Sequence, residues 1–280
     1  MRPAPALNAT SWTMPPLLRA SVGVHALAAG VAAVEPQAWS WAVAGVALNH
    51  AVLTAAGLWP RSRWLGANLV RLPAASAARG EVALTIDDGP DPEVTPQVLE
   101  LLDAHGARAT FFCIAQRAAA QPALAREIVA RGHSVQNHSH AHRHNFALLG
   151  PRGFEREIAR AQQVLGDITG ERPSCFRAPA GLRNPFLDPV LHRLGLTLVS
   201  WTRRGFDTRE ADASRVLARL TGGLRGGDIL LLHDGHAARA AGGRPVVLDV
   251  LPSLLDTCRQ AGLRCITLPQ ALQTAQPAVS

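Results

Sequence analysis

The chain has 280 residues and a mass of 29.7 kDa, enough for one large domain and a smaller appendage. Its formal charge of +7 and pI near 10.9 come entirely from arginine, scattered along the chain as on solvated helix faces, which argues against a nucleic-acid partner. No lysine occurs, so Schiff-base and P-loop chemistries, which need that side chain, are excluded.

Residues 1–16 read as an N-terminal tail. Residues 17–34 then form an apolar run broken only by Arg19 and His25, and residues 39–59 form a second with no charge at all. The second is long enough to cross a bilayer, which takes about 20 residues. Five of the six tryptophans, Trp12, Trp39, Trp41, Trp59 and Trp64, lie at or just outside the ends of these runs, as an aromatic belt does. The short link at 35–38 turns one run back on the other, which predicts a two-helix membrane hairpin over 17–59. The longer second run disfavours a cleaved signal peptide; a buried hairpin of a soluble protein is the alternative, because the first run is short and partly polar. Arg2 and Arg19 flank the first run and Arg61, Arg63 and Arg71 follow the second, whereas the turn between them has no arginine. The positive-inside rule therefore places both ends, and the large domain that follows, on the cytoplasmic side of an inner membrane. Residues 60–80, ending in an alanine-rich stretch and Arg-Gly, read as a linker.

Residues 81–275 read as one domain. Strand-like runs near 82–86, 109–114, 133–137, 174–177, 196–200, 228–233 and 263–266 alternate with helical patterns such as 96–105, 122–131, 153–169, 212–221 and 246–261. Such alternation points to parallel strands joined by crossover helices, and about seven βα units suggest a barrel, complete or with one gap, smaller than the eight-unit form. Cys113 and Cys175 fall inside apolar runs, and none of the four cysteines, Cys258 and Cys265 included, forms a Cys-x-x-Cys pair, so they do not fix the redox compartment.

The chemistry gathers at the strand ends. The first strand runs into Asp87-Asp88 before Gly-Pro stops it. Neighbouring side chains on a strand point in different directions, so the two carboxylates can hold different tasks, one on a metal and one on a proton. After the third strand comes a cluster in which His138 and His142, or His140 and His144, have the four-residue spacing that lets two imidazoles reach one metal; spacing alone does not choose between the pairs. Arg177 follows the fourth strand, where it could clamp a carboxylate, and Pro179-Ala180-Gly181 could expose backbone N–H groups to an oxyanion. Ser200-Trp201, with Asp207 six residues on, and His233 close the set. Each group alone is more often structural, but five polar groups at five strand ends place all the chemistry on one edge.

In this order the motifs Thr-Ile-Asp-Asp-Gly-Pro, His138-Ser139-x-x-His142, Arg177-x-Pro179-x-Gly181 and Leu231-x-His233 resemble those of the polysaccharide deacetylases, also called the NodB-homology or carbohydrate esterase family 4 domain. The resemblance implies a distorted (β/α)7-type barrel behind the hairpin. It further implies one divalent metal, commonly Zn2+, on Asp88, His138 and His142, and a hydrolase that removes an N-acyl group, most often acetyl, from an amino sugar in a polysaccharide or on a lipid. Within it Asp87 is the general base and Arg177 its holder, the backbone of Ala180 serves the oxyanion, Pro179 and Trp201 lie beside the substrate, and His233 oriented by Asp207 is the general acid. The chain departs from the family at Ile86 and Ala180, each usually aromatic, and around 200–208, where the usual Asp-rich motif is altered. Deformylation of a lipid-linked amino sugar at the cytoplasmic face is one alternative. A decayed, membrane-anchored sugar-binding protein is disfavoured by the intact polar set, and an Asp-nucleophile phosphatase by the missing Asp-x-Asp and lysine.

Overall fold

The computed structural model describes residues 11–273; Arg2 and the rest of residues 1–10, and the last two residues of the expected 81–275 domain, lie outside the described residues. Two long helices, α1 (Pro16–Val34) and α2 (Trp39–Leu58), pack against each other through a 3-10 turn at Pro36–Ala38. Proline at the first position of α1 costs nothing, since that N–H has no intrahelical acceptor. Both helices are long and apolar enough to cross a membrane, with mean hydropathies of 1.6 and 1.4, and only 6% and 17% of their apolar windows are buried. Ser21, Leu53, Ala56 and Gly57 are buried, Leu53 and Ala56 packing with Leu65, Leu17 and Leu18 where the hairpin meets the rest of the chain.

The domain is a curled parallel sheet. Its strands are β1 (Glu81–Asp87), β2 (Ala109–Cys113), β3 (Ser134–Asn137), β4 (Cys175–Phe176), β5 (Thr197–Leu198), β6 (Arg203–Arg204), β7 (Ile229–His233) and β8 (Arg264–Cys265). They run in the order β5-β4-β3-β2-β1-β7-β6, with β8 added beside the start of β1. Around them lie the crossover helices α4 (Val94–Ala104), α5 (Ala115–Ala120), α6 (Pro122–Ala130), α7 (Pro151–Thr169), α8 (Leu187–Arg193), α9 (Ala213–Thr221) and α10 (Val246–Gln260), with α11 (Leu268–Gln273) closing the described chain and the short α3 (Ala74–Ala78) preceding the sheet. This is the parallel βα barrel with a gap that the alternation of elements predicts, in the distorted (β/α)7 form that the resemblance implies. All seven residues of β1 and all five of β2 and of β7 are buried, because helices and loops cover the sheet on both faces; their interiors are mainly apolar, with Glu81, Asp87 and His233 at their ends. The main core lies between these strands and α4, α6, α9 and α10.

Two features depart from the sequence reading. The two-residue strand β6 has no apolar pattern to announce it. And residues 60–80, read as a linker, run along the barrel. Leu69 forms a parallel bridge to Val199, Leu72 joins the inner core and donates its N–H to the Gly227 carbonyl at 2.9 Å, and α3 buries Ser76. The segment thus fills the gap beside β5 that the open sheet leaves.

Candidate active site

The site stands at the carboxyl ends of the strands, where parallel register lines up its residues. Asp87, the last residue of β1, is level with Phe112 of β2 and His233 of β7. Arg177, just past β4, is 1% exposed and reaches across the barrel. Its Nη1 donates to Asp87 Oδ1 at 2.6 Å and to Thr85 Oγ1 at 2.8 Å, and its Nη2 to the Ser200 carbonyl at 3.0 Å. The guanidinium lies over the Phe112 ring, 4.2 Å from its centroid, and 5.8 Å from that of Trp201. Burial lowers the Arg177 pKa from its ordinary value, and the Asp87 carboxylate opposes that fall. A buried charge tolerates such a place only when paired and hydrogen-bonded in this way.

Asp88, His138 and His142 converge, their ligand atoms within 4.8 Å of one another. Asp88 Oδ1 lies 3.2 Å from Nε2 of each imidazole yet makes no hydrogen bond. His138 Nδ1–H donates to the Arg177 carbonyl at 2.8 Å, so in the neutral ring Nε2 presents a lone pair to that carboxylate oxygen. Converging lone pairs around a buried, unbonded oxygen fit a divalent cation, and the donor of Nδ1 to a carbonyl is the usual outer support of a histidine ligand. Burial disfavours the His138 imidazolium, but Asp87 and Asp88 outweigh it and raise the pKa; the field that attracts a proton there attracts a metal. Burial would raise the Asp88 carboxyl, but the neighbouring His138 imidazole and the hydrogen bond from His236 hold it well below the usual carboxylate range. His142, desolvated and beside His138, is pushed down to about 4 and so stays neutral, as a ligand must.

The loop carrying the two histidines is braced from beneath. Asn137 Nδ2 donates to Gln162 Oε1 at 2.8 Å and to the Ile158 carbonyl at 3.1 Å, both on α7, while its Oδ1 accepts the Ser139 N–H at 2.9 Å. Ser139 Oγ then accepts the His142 N–H at 3.0 Å. The other spaced pair does not join the cluster: His140 is buried with Nδ1 unpartnered, and His144 lines the cavity. His233 donates Nδ1–H to Asp207 Oδ1 at 2.9 Å and its backbone N–H to Oδ2 at 2.7 Å, leaving Nε2 to carry a proton. Burial would lower the His233 pKa, but the fully buried Asp207 carboxylate raises it.

A cavity of about 660 Å³ joins these groups, with Asp87, Asp88, His233, Ala180 and Trp201 among its walls. Pro179 is buried directly beneath Ala180 at the start of the same tight turn. Strain concentrates here. The five non-glycine residues with left-handed backbone among the described residues are Asp88, Ser139, His142, Ala180 and Phe206, all at this rim. Such conformations cost on the order of 1–3 kcal/mol each and persist where the surroundings fix them, commonly at working sites.

Three contributors escaped the sequence reading. His236 Nδ1–H donates to Asp88 Oδ2 at 2.8 Å, and its Nε2 accepts from Arg117 Nη2 at 3.0 Å; Arg117 Nη1 also donates to the Asp88 and Gly235 carbonyls, each at 2.9 Å. Asp234, pushed up to about 7 by burial, accepts from Thr95 Oγ1 and packs where a Cβ on Gly89 would have to sit. A further histidine three residues after His233 is the one visible signal.

The polysaccharide deacetylase family model matches residues 74–199. The chitooligosaccharide deacetylase of Azorhizobium caulinodans is 33% identical over 201 residues, covering 68% of this chain and 94% of that protein. Among solved structures, the family 4 carbohydrate esterase from Streptomyces lividans, in complex with acetate, is 34% identical with a TM-score of 0.60, covering 66% of this chain and 91% of that one. A peptidoglycan N-acetylglucosamine deacetylase, Bc1960, superposes with a TM-score of 0.66 at 26% identity, covering 74% and 92%. The chain belongs to the polysaccharide deacetylase family, and it is a hydrolase of amide carbon–nitrogen bonds.

Proposed function

We propose that the protein is a metal-dependent hydrolase that removes the N-acyl group, acetyl in the first instance, from an amino sugar in a polysaccharide or on a lipid carrier. The observation that carries this reading is the convergence, in one cavity, of a carboxylate held by a buried arginine, an Asp/His/His donor set and a histidine held by a second buried carboxylate. Asp88, His138 and His142 would hold the divalent cation, for which zinc suits the donor set. When bound it supplies a Lewis acid that makes water nucleophilic near neutral pH and polarises the amide carbonyl. Asp87 takes the water proton, its carboxylate fixed by Arg177 Nη1 at 2.6 Å. The Ala180 backbone, in its left-handed turn, offers an N–H to the developing oxyanion. His233 delivers a proton to the departing amine, and Asp207 both orients the ring and keeps it cationic. Trp201 walls the sugar side, and Pro179, buried at the start of the turn, sets the Ala180 backbone.

The hairpin α1–α2 anchors this site to an inner membrane, with the arginine-flanked ends and the catalytic domain on the cytoplasmic side. That sidedness favours a lipid-linked amino sugar over a cell-wall polymer, and the small Ala180 leaves room for a formyl or an acetyl group alike. The test is acetate or formate release from N-acylglucosamine substrates by the metal-loaded protein, with Asp87→Asn expected to retain one metal per chain and lose turnover. Near-native turnover in that variant would remove Asp87 as the base; metal binding with no amide cleavage on any amino sugar would favour a sugar-binding role instead.

A further inference from the structure

We propose that the carboxyl-end rim of the barrel is a bilayer-docking surface, so that the cavity draws its amino sugar from the headgroup layer of an anionic membrane. This rests on the reading that α1 and α2 span that membrane.

The hairpin's base and the cavity wall are one packed unit. Pro60, two residues past the end of α2, sits against Gly181 and Trp201, both of which line the cavity. Gly181 has φ +73, and a Cβ there would lie 2.7 Å from Pro60 and 2.6 Å from Trp201, so the close approach requires glycine. Ser200 Oγ donates to the Pro60 carbonyl at 2.6 Å, the Arg183 N–H to the Gly57 carbonyl at 3.2 Å, and Arg61 to the Thr202 carbonyl at 3.3 Å. At the other helix, Trp12 Nε1 donates to Asp188 at 2.8 Å, tying the entry of α1 to α8. A hairpin that ends at the headgroups therefore brings the mouth of the site to the same depth.

The apolar surface agrees. Among the described residues outside the two helices, the exposed large hydrophobic side chains are Met14, Trp59 and Trp64 at the hairpin base and Leu148, Phe186 and Phe206 on loops after β3, β4 and β6. None stands at the amino ends of the strands. Leu148 is 84% exposed, and Phe206 is held outward in a left-handed conformation with the guanidinium groups of Arg204 and Arg219 stacked 5.0 and 5.7 Å from its ring. Isolated exposed apolar residues need no explanation, but a set confined to one face around an apolar anchor marks an interface.

Charge supplies the partner. On this face Arg61, Arg63, Arg143 and Arg209 have no carboxylate in ion-pair contact among the described residues, beside the paired Arg219–Glu210 and Arg239–Glu93; at the opposite rim Arg79, Arg108, Arg131 and Arg264 pair with Glu81, Asp103 and Glu127, while Arg172 and Arg225 have no such pair. Unneutralised guanidinium groups beside exposed aromatic rings are complementary to a layer of anionic headgroups over acyl chains.

The test uses the full chain in nanodiscs of phosphatidylcholine and phosphatidylglycerol, in a Cys265→Ser background because the other cysteines are buried. Nitroxides are placed singly by L148C, F186C, H105C and V43C, and collision with a water-soluble nickel chelate and with oxygen is read by electron paramagnetic resonance. Positions 148 and 186 are expected to meet the chelate several-fold less often than position 105, less protected in discs of phosphatidylcholine alone, with position 43 reporting acyl chains. Equal chelate access at 148, 186 and 105 with position 43 in lipid overturns the docking surface and leaves the anchor standing. Water exposure at position 43 overturns the anchor and the docking together. The hydrolase reading is scored separately, by amide cleavage.

Discussion

At the amino ends of the strands, Asp228 is fully buried between Arg71 at 2.8 Å and Arg203 at 2.6 Å. At the carboxyl ends, Asp87 and Asp88 are nearly as buried, at 3% and 5% exposed, and their neighbours are arginine and histidine too. The two rims use the same residue types and differ in completeness. Asp228 faces two permanent cations and relaxed backbone, so it serves stability. Asp228 and Asp88 each have one carboxylate oxygen without a hydrogen bond, but Asp228 Oδ1 lies 2.8 Å from the Arg71 guanidinium, whereas Asp88 Oδ1 faces two imidazole nitrogens at 3.2 Å and its backbone sits at φ 75, an arrangement that fits a bound cation. The contrast is the general one for barrels, with function at the carboxyl face and stability at the amino face.

The sharpest way to break that contrast is to remove a group from each rim. His233→Ala should lower turnover by about 10²–10⁴-fold, the usual worth of a general acid, while the unfolding midpoint in urea stays near that of the wild type. Asp228→Ala should do the reverse, costing on the order of 3 kcal/mol because it strands two arginines, with turnover per folded molecule unchanged. A loss of activity without a loss of stability at Asp228 would erase the distinction. His236→Ala should weaken metal binding about tenfold, the low end for an outer support of a ligand, and His236→Asn, which keeps a donor near Nδ1, should recover most of it; competition against a chromogenic chelator reads both. The smallest effect concerns pH. The His233 pKa is raised by Asp207, so the acid stays protonated until pH climbs through that raised value. Asp207→Asn removes the raising charge, and the alkaline limb of kcat/KM should move to lower pH. A limb that stays in place assigns it to another group.

How much of this could be read without coordinates follows from range. The βα alternation is local, and β1, β2 and β7 are predominantly apolar along their length, so their existence and parallel sense were legible. So were the polar residues that end them. Strand β6 was not, because two arginines that snorkel along Trp201 and Asp228 carry no strand period. Residues 60–80 looked like a linker because alanine and proline say nothing about pairing; only the gap beside β5 gives Leu69 a strand to bridge. Near 200–208 the sequence departs from the family pattern, and it is folding that sets Asp207 2.9 Å from His233.

The sequence by itself determined the fold class, the apolar hairpin and the ordered set from Asp87 to His233, because each rests on periodicity or on residues a few positions apart. Only the tertiary structure decided that Arg117 and His236 support the Asp88 carboxylate, and that the hairpin ends against the wall of the cavity. These are contacts between residues 29 to 148 positions apart, brought together by parallel register and loop packing that no local pattern encodes.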